Sequence, residues 1–358
     1  MKFSPIEVLV RVAKIPLVSV DFDMQRREFT RLLTGAAATW PLASLAGGAV
    51  GWPLIASAEK LVGMPRIVQL APVHIPSQID GIRDLLNSLG YVEGRNIRLE
   101  FRNAAGNVDA LPELAQEIVR DGADLIIAIS TPAALAAYKA TQTIPIVAFA
   151  AVDPVASGLA YSLGRPGRNV TGVAVFSEET TAKRVELMRE VVPRAVRLGT
   201  VTTKVSSGAQ SLAPVLDTGR QLGFSVESIG IDDPADLAKV LSPEVLAGFD
   251  ALVFVPDVVL TAHMAEVIKM VNLANKPAIF PSPDWVSNGG FMSFGPDFSD
   301  ATHHLISQVD RVLKGAKPAD LPFERPTKFD LRINLRIAKQ LGIELSPTVL
   351  ARADEVIE

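Results

Sequence analysis

The stretch that most constrains the fold of this chain runs from residue 122 to residue 176. It contains two apolar runs, Asp124–Ile129 and Ile144–Phe149, and between them Ser130-Thr131-Pro132 supplies a helix start. Ser or Thr can cap a helix, and Pro suits the first turn because its missing N–H costs nothing there. Two strands joined through a helix form a βαβ unit, which requires a parallel sheet covered on both faces.

The βαβ unit also predicts where a ligand would bind. In such sheets ligands lie beyond the carboxyl ends of the strands, which places Ser130, Thr131 and Asp153 at one mouth. A helix N-terminus offers free N–H groups that suit a carboxylate, although the same residues also form ordinary N-caps. Asp153 can receive a ligand ammonium group, or it can simply cap the turn before Pro154.

Strands and helices alternate along most of the chain. After the first α/β half, the order β-α-β-α-β-α-β restarts at Leu198, without a fixed-period sequence repeat. This alternation predicts an α/β fold with two lobes, each a doubly wound parallel sheet. Residues 234–246 and 260–275 are each predicted to be one helix of the second lobe.

The segments after residue 290 are too few for a third domain, so we expect them to return to the two sheets. The chain then crosses between the lobes three times and forms a hinge, with a ligand cleft between the lobes. The predicted first lobe spans residues 59–176 with 296–320, and the predicted second lobe spans residues 177–295 with 321–358.

Several polar residues follow strands and are candidates for the walls of this cleft. From the second lobe these are Ser206, Ser207, Asp257, Ser282, Asp284 and Trp285, and from the first lobe His74 joins them. For Asp257 and Asp284, each taken singly, a solvated loop acid is the more common interpretation. Trp285 could stack on a flat ligand or pack inside its lobe, and a loop His is more often a surface residue.

Composition and missing motifs exclude several classes of function. The net charge of −4 argues against nucleic acid or an anionic membrane as the main partner, and the absence of Cys excludes disulfides, thiolate metal sites and a lipoprotein anchor. There is no Gly-x-Ser-x-Gly, His-Glu-x-x-His or Gly-x-Gly-x-x-Gly pattern. Adjacent His303 and His304 cannot share one helix face as a metal pair would. We therefore predict no cofactor, no metal and no enzymatic activity.

The N-terminal region has the pattern of an export signal. Arg26-Arg27, followed by Phe29 and Arg31, resembles a twin-arginine signal. Leu32–Ala58 contains no charged residue, and Ala56-Ser57-Ala58 is a small-residue cleavage site. The alternative is an uncleaved membrane anchor. For residues 1–23 we favour the interpretation that the start site is placed too early. We expect a mature periplasmic protein that begins near Glu59.

Several longer motifs resemble those of a known family, the periplasmic substrate-binding proteins of ABC transporters, which includes tryptophan-type binding components. The resemblance covers residues 66–358. Its motifs are Gly90–Asn96, Thr131–Ala136, Asp153–Val155, Arg165–Val173, Leu313–Pro322 and Ala351–Ile357. The chain departs from the family at Ile129-Ser130, where many members carry a Gly-Gly pair before Thr-Pro.

The resemblance implies a type I periplasmic-binding-protein fold that closes around its ligand like a Venus flytrap. Such a protein captures a small solute, here an amino acid or an aromatic molecule, and delivers it to an ABC permease with its ATPase. The resemblance also implies a monomer or weak dimer. Two alternatives stay open: a sensor module for a membrane receptor, which shares the fold, and an exported α/β enzyme.

Overall fold

The computed structural model describes residues 63–150, 153–175, 178–205 and 209–358. The strands are β1 (Arg66–Ala71), β2 (Arg98–Asn103), β3 (Leu125–Ile129), β4 (Ile146–Ala150), β5 (Val170–Ala174), β6 (Arg197–Thr203), β7 (Ser225–Ile231), β8 (Ala251–Phe254), β9 (Ala278–Phe280), β10 (Met292–Pro296), β11 (Phe329–Asn334) and β12 (Glu355–Ile357). The α-helices are α1 (Pro76–Ser88), α2 (Leu111–Arg120), α3 (Thr131–Ala140), α4 (Glu178–Val191), α5 (Ala209–Gln221), α6 (Leu237–Val240), α7 (Pro243–Leu246), α8 (Val258–Ala262), α9 (Met264–Leu273), α10 (Pro283–Ser287), α11 (Phe298–Leu313), α12 (Leu335–Gln340) and α13 (Pro347–Leu350).

The first sheet is entirely parallel, with strand order β2-β1-β3-β4-β5. Its central strands β3 and β4 are buried along their whole length, as their continuous apolar sequences LIIAI and IVAFA require. Separate apolar cores cover the two faces, and α11 supplies Leu305 and Val309 to one of them. We call this sheet and its helices lobe 1.

The second sheet has seven strands in the order β12-β11-β10-β9-β8-β6-β7. Strands β6 to β10 are parallel and repeat the order of the first sheet, which confirms the predicted α/β fold with two lobes. Strand β11, in contrast, runs antiparallel to β10. The reason is that β10 ends at the hinge and β11 enters from the hinge, so Pro296 pairs with Phe329. This sheet and its helices form lobe 2.

Three connections join the lobes, and both lobes lie within one unit of the chain, Ser57–Glu358. The first leads from β5 to α4, the second from β10 to α11, and the third from lobe 1 to β11. In the third, the backbone of Glu324 pairs with β5: its N–H donates to the Gly172 carbonyl and its carbonyl accepts from the Ala174 N–H. The residue numbers predicted for the lobe boundaries stay a prediction.

Three local predictions were wrong. Residues 234–246 are not one helix, because Pro243 begins α7 and holds Ser242 in an extended conformation. Residues 260–275 are likewise divided, into α8 and α9, at His263. The Ser282–Trp285 segment is not a loop but the start of the short helix α10, which Pro283 opens at its first turn.

The described residues contain no helix long and apolar enough to cross a membrane. The predicted export signal, residues 24–58, lies outside the described residues.

Candidate functional site

A cavity of about 640 Å³ lies between the carboxyl edges of the two sheets. From lobe 1 it is lined by residues that follow β1, β3 and β5, and from lobe 2 by residues that follow β6, β8 and β9. A volume of this size suits a drug-sized ligand, and the position is the one expected for open α/β sheets. The surface of the cavity is mostly apolar, with a limited set of polar side chains.

The end of β3 brings Ser130 and Thr131 to the cavity wall at the start of α3. Both are buried, and the Ser130 hydroxyl accepts a 3.3 Å hydrogen bond from the Ala133 N–H. Ser130 has φ 100° and ψ 157°, a backbone region that residues other than Gly rarely adopt. The first turn of α3 thus combines a helix N-terminus with a strained backbone at the ligand cavity.

Aromatic and aliphatic side chains form the apolar part of the wall in lobe 1. The rings of Phe149 and Phe298 stack with centroids 5.6 Å apart and planes tilted by 24°. Leu85, Ile129 and Leu135 extend this surface. Such a wall can bury a flat hydrophobic group of a ligand.

Asp257 lines the cavity from lobe 2, but protein donors occupy both of its oxygens. One oxygen accepts from the Val259 and Leu260 N–H groups, at 2.8 and 3.0 Å, and caps α8. The other accepts from the N–H and hydroxyl of Thr203, at 3.3 and 2.7 Å. Since a carboxylate has about four acceptor positions, Asp257 is saturated and fixes the shape of the wall.

Asp284 differs from Asp257 because its side chain is exposed to the open space of the cleft. It lies in the first turn of α10. The surrounding protein excludes enough water to raise the pKa of its carboxyl, an effect that the positive charge of Arg332 partly offsets. A carboxylate in this setting gains from a cationic partner, which a ligand ammonium group can supply.

Arg184 on α4 also lines the cavity, although its side chain is only 1% exposed. It donates to the Phe294 carbonyl at 3.0 Å and to the Thr181 hydroxyl at 2.8 Å, and its Nε has no hydrogen-bond partner. Burial lowers the pKa of Arg184 to about 9, so the guanidinium stays protonated at pH 7. The cavity wall therefore contains a buried cation without a carboxylate among the described residues.

Of the remaining predicted site residues that the structure describes, Ser282 lines the cavity and the others do not. Trp285 is in the core of lobe 2, where its ring stacks on Phe280 at 4.8 Å, and it does not line the cavity. His74 is exposed and outside the lining, and so is half-buried Asp153, whose carboxylate accepts from the Val155 N–H at 2.8 Å. Ser282 is buried at the wall, at the N-cap position of α10. Ser206 and Ser207 lie outside the described residues.

Sequence reasoning missed Arg184, although its position was readable. In α4 the buried residues recur every three or four positions, and Arg184 lies in this stripe between Thr181 and Met188. A cation on the buried face of a helix is unusual and marks either an ion pair or a binding site. Among the described residues, no group of three or more His, Asp or Glu side chains is arranged to hold a metal ion.

The arrangement can recognise a small amphipathic molecule. Hydrophobic walls would bury its body, Asp284 would meet a cationic group, and Arg184 with the N-terminus of α3 would meet an anionic group.

Comparison with known proteins gives a consistent result. The family model "ABC transporter substrate binding protein" matches residues 71–357. A tyrosine-binding protein of Clostridioides difficile (strain R20291) is 31% identical over 267 residues, which are 74% of this chain and 76% of the relative.

Two solved structures are also similar over most of the chain. The ABC domain in complex with L-Trp from Streptococcus pneumonia has a TM-score of 0.74 and 28% identity, and the match covers 81% of this chain and all of that one. A conserved domain protein from Vibrio cholerae has a TM-score of 0.76 and 28% identity, with coverage of 82% and 100%.

Proposed function

The chain belongs to the family of ABC transporter substrate-binding proteins, and from this premise we propose that it captures an aromatic amino acid and delivers it to an ABC permease. One observation carries the choice of solute. The cavity of about 640 Å³ is lined by an apolar wall that includes Phe149 and Phe298, and by both acidic and basic side chains. A zwitterion with a flat apolar side chain matches all three features.

The relatives support the same class of solute. One curated relative is a tyrosine-binding protein, and one solved relative is in complex with L-Trp. Identities of 31% and 28% leave room for a different side chain within the class. Closure of two lobes around the solute is a hinge motion, and the three connections between lobe 1 and lobe 2 are the hinge.

Within this proposal Asp284 receives the ammonium group of the solute. Its carboxyl is open to the cleft and gains from a cation, whereas Asp257 has both oxygens occupied by protein donors. Ser130, Thr131 and Ser282 contribute polar contacts at the wall, and Trp285 acts only through packing behind α10.

We also propose an extracytoplasmic location reached through a twin-arginine signal. ABC transporter substrate-binding proteins work outside the cytoplasm, and the chain matches the family from residue 71 onward. Arg26-Arg27, the uncharged stretch Leu32–Ala58 and the small residues at its end support export ahead of that region. A role without catalysis accords with the family, whose members bind solutes.

Isothermal titration calorimetry tests the proposed function. The purified protein, unfolded and refolded to remove any co-purified solute, is titrated with L-tyrosine, L-tryptophan and L-phenylalanine, and with L-leucine, L-glutamate and glucose for comparison. We expect binding of at least one aromatic amino acid, weakened roughly 10-fold or more by Asp284→Asn.

Asp217→Asn is the matched control, because Asp217 is an exposed acid on α5 that pairs with Arg220 and does not line the cavity. It should bind like the wild type. Tight binding of glucose or L-glutamate with no response to the aromatic amino acids would refute the proposed solute class.

A further inference from the structure

Arg184 is energetically unusual among the charged groups of this protein. Arg66 pairs with both carboxylate oxygens of Glu100 at 2.8 Å, and Arg332 pairs with Asp330 and Glu355 at 2.9 and 2.7 Å. Arg184 is more deeply buried than either, yet its two hydrogen bonds go to neutral oxygens. A buried cation without a counter-charge is strongly unfavourable unless a ligand supplies the missing anion.

The donors of Arg184 are prearranged for such an anion. A guanidinium has five N–H groups in a planar fork that matches a carboxylate. One Nη of Arg184 is held by the Phe294 carbonyl on β10 and the other by the Thr181 hydroxyl one turn earlier on α4. These contacts fix the plane of the guanidinium, while Nε has no protein acceptor and the side chain lines the cavity.

The two acids of lobe 2 at the cavity, Asp257 and Asp284, do not neutralise Arg184. Asp257 is occupied by Thr203 and the first turn of α8, and the positive charge acting on Asp284 is that of Arg332. Neither acid forms an ion pair with Arg184, and burial is the cause of the lowered pKa of its guanidinium. The positive charge thus lies at the cavity wall without an ion pair to either of these acids.

We propose that Arg184 is the carboxylate anchor of the cavity, so that the solutes of this protein are defined by a carboxylate group. This inference rests on the proposed function, because it assigns a role within the same cavity. It goes further in ranking the groups of the solute: the carboxylate is required, and the ammonium group adds affinity through Asp284 without being essential.

Thr181 has a supporting role in this arrangement. Its hydroxyl orients one Nη of Arg184, so it is a positioning residue for the anchor. Thr181→Val keeps the shape of the side chain and removes the acceptor, which leaves the cation in place with a less defined plane. Because the valine also removes a polar atom from a buried site, the variant should fold.

Calorimetric titration with three related compounds tests the anchor. L-tyrosine carries both charged groups, 3-(4-hydroxyphenyl)propionate lacks the ammonium group, and tyramine lacks the carboxylate. For the wild type we expect binding of the first two and a loss of roughly 10- to 100-fold or more for tyramine. Arg184→Gln should weaken the two carboxylates by a similar factor and leave tyramine unchanged, and Thr181→Val should weaken them less.

Arg352→Gln is the matched control for removal of one positive charge, since Arg352 is an exposed partner of Glu190 and does not line the cavity. The anchor is refuted if Arg184→Gln binds L-tyrosine as the wild type does, or if it weakens tyramine and L-tyrosine equally, as a structural role predicts. If Arg184→Gln fails to fold, Thr181→Val is compared with the wild type instead. The anchor is refuted if this variant binds L-tyrosine as the wild type does, or if it weakens tyramine and L-tyrosine equally.

A second panel separates this inference from the proposed function. If the wild type binds no aromatic amino acid, a thermal-shift comparison with L-leucine, hexanoate and hexylamine follows. A shift by the two carboxylates that Thr181→Val reduces would overturn the aromatic solute and support the anchor. Equal shifts by hexylamine and hexanoate, unchanged in that variant, would refute the anchor itself.

Discussion

Ser130 provides a sharp test of the local structure at the cavity. Its φ of 100° and ψ of 157° lie in a region essentially reserved for Gly, where a side chain costs about 1–3 kcal/mol. Ser130→Gly removes this strain. Two effects of the substitution are destabilising. The flexibility of Gly in the unfolded chain costs about 0.5–1 kcal/mol, and the loss of the long 3.3 Å N-cap hydrogen bond costs a few tenths of a kcal/mol when Gly replaces Ser.

The balance is a gain of about 1 kcal/mol in the free energy of unfolding for Ser130→Gly. Ser130→Ala should instead lose about 1 kcal/mol, because it removes the cap and keeps the strained backbone. For the roughly 290 described residues, 1 kcal/mol corresponds to a Tm shift of about 1.5–2 °C, so urea titration with a global fit is the better assay.

Asn275→Gly is the matched control. Asn275 also has a positive φ, of 49°, but in the left-handed region that Asn tolerates, so its replacement should change stability little. The reasoning about strain is refuted if Ser130→Gly is no more stable than Ser130→Ala. A gain for Asn275→Gly equal to that for Ser130→Gly would show that the effect is not specific to the geometry at Ser130.

Three further predictions concern other groups. The protein around the Asp284 carboxyl excludes water and raises its pKa above the ordinary value of 3.8. The unfolded chain therefore releases this proton at lower pH, and the free energy of unfolding falls as pH rises through that window. Asp284→Asn should therefore be more stable than the wild type at pH 7 and equally stable below pH 3.8, as measured by urea titration at a series of pH values. A stability difference that does not vary with pH would contradict this prediction. Asp257→Ala should lose about 2 kcal/mol or more in the same assay, because it uncaps α8 and removes the carboxylate that accepts from the Thr203 hydroxyl. An unchanged transition midpoint would show that Asp257 does not fix the shape of the wall. Replacing Arg26-Arg27 by Lys-Lys should abolish export in a cell-fractionation assay, and export at the normal rate would exclude the twin-arginine pathway.

Much of the candidate site was predictable because it follows from strand order. Ser130, Asp257 and Ser282 each follow the end of a parallel strand closely, so their presence at one edge needs only the βαβ pattern. His74 satisfies the same pattern yet lies outside the lining, because its side chain is exposed while neighbours Val73 and Ile75 line the cavity. A position after a strand therefore predicts that a residue lies at this edge of the sheet. Whether its side chain lines the cavity depends on the local backbone conformation.

The two α/β lobes, the three connections between them and the family were all predictable from the amino-acid sequence, since hydrophobic periodicity and short motifs are local properties of the chain. Which polar groups at the cavity keep a charge without a protein partner depends on the packing of the folded chain. Asp257 is saturated by Thr203 on another strand, Trp285 is enclosed by rings of its own lobe, and Arg184 is buried without a counter-charge. Burial and hydrogen-bond partners depend on residues distant in sequence, so the three-dimensional packing had to place them.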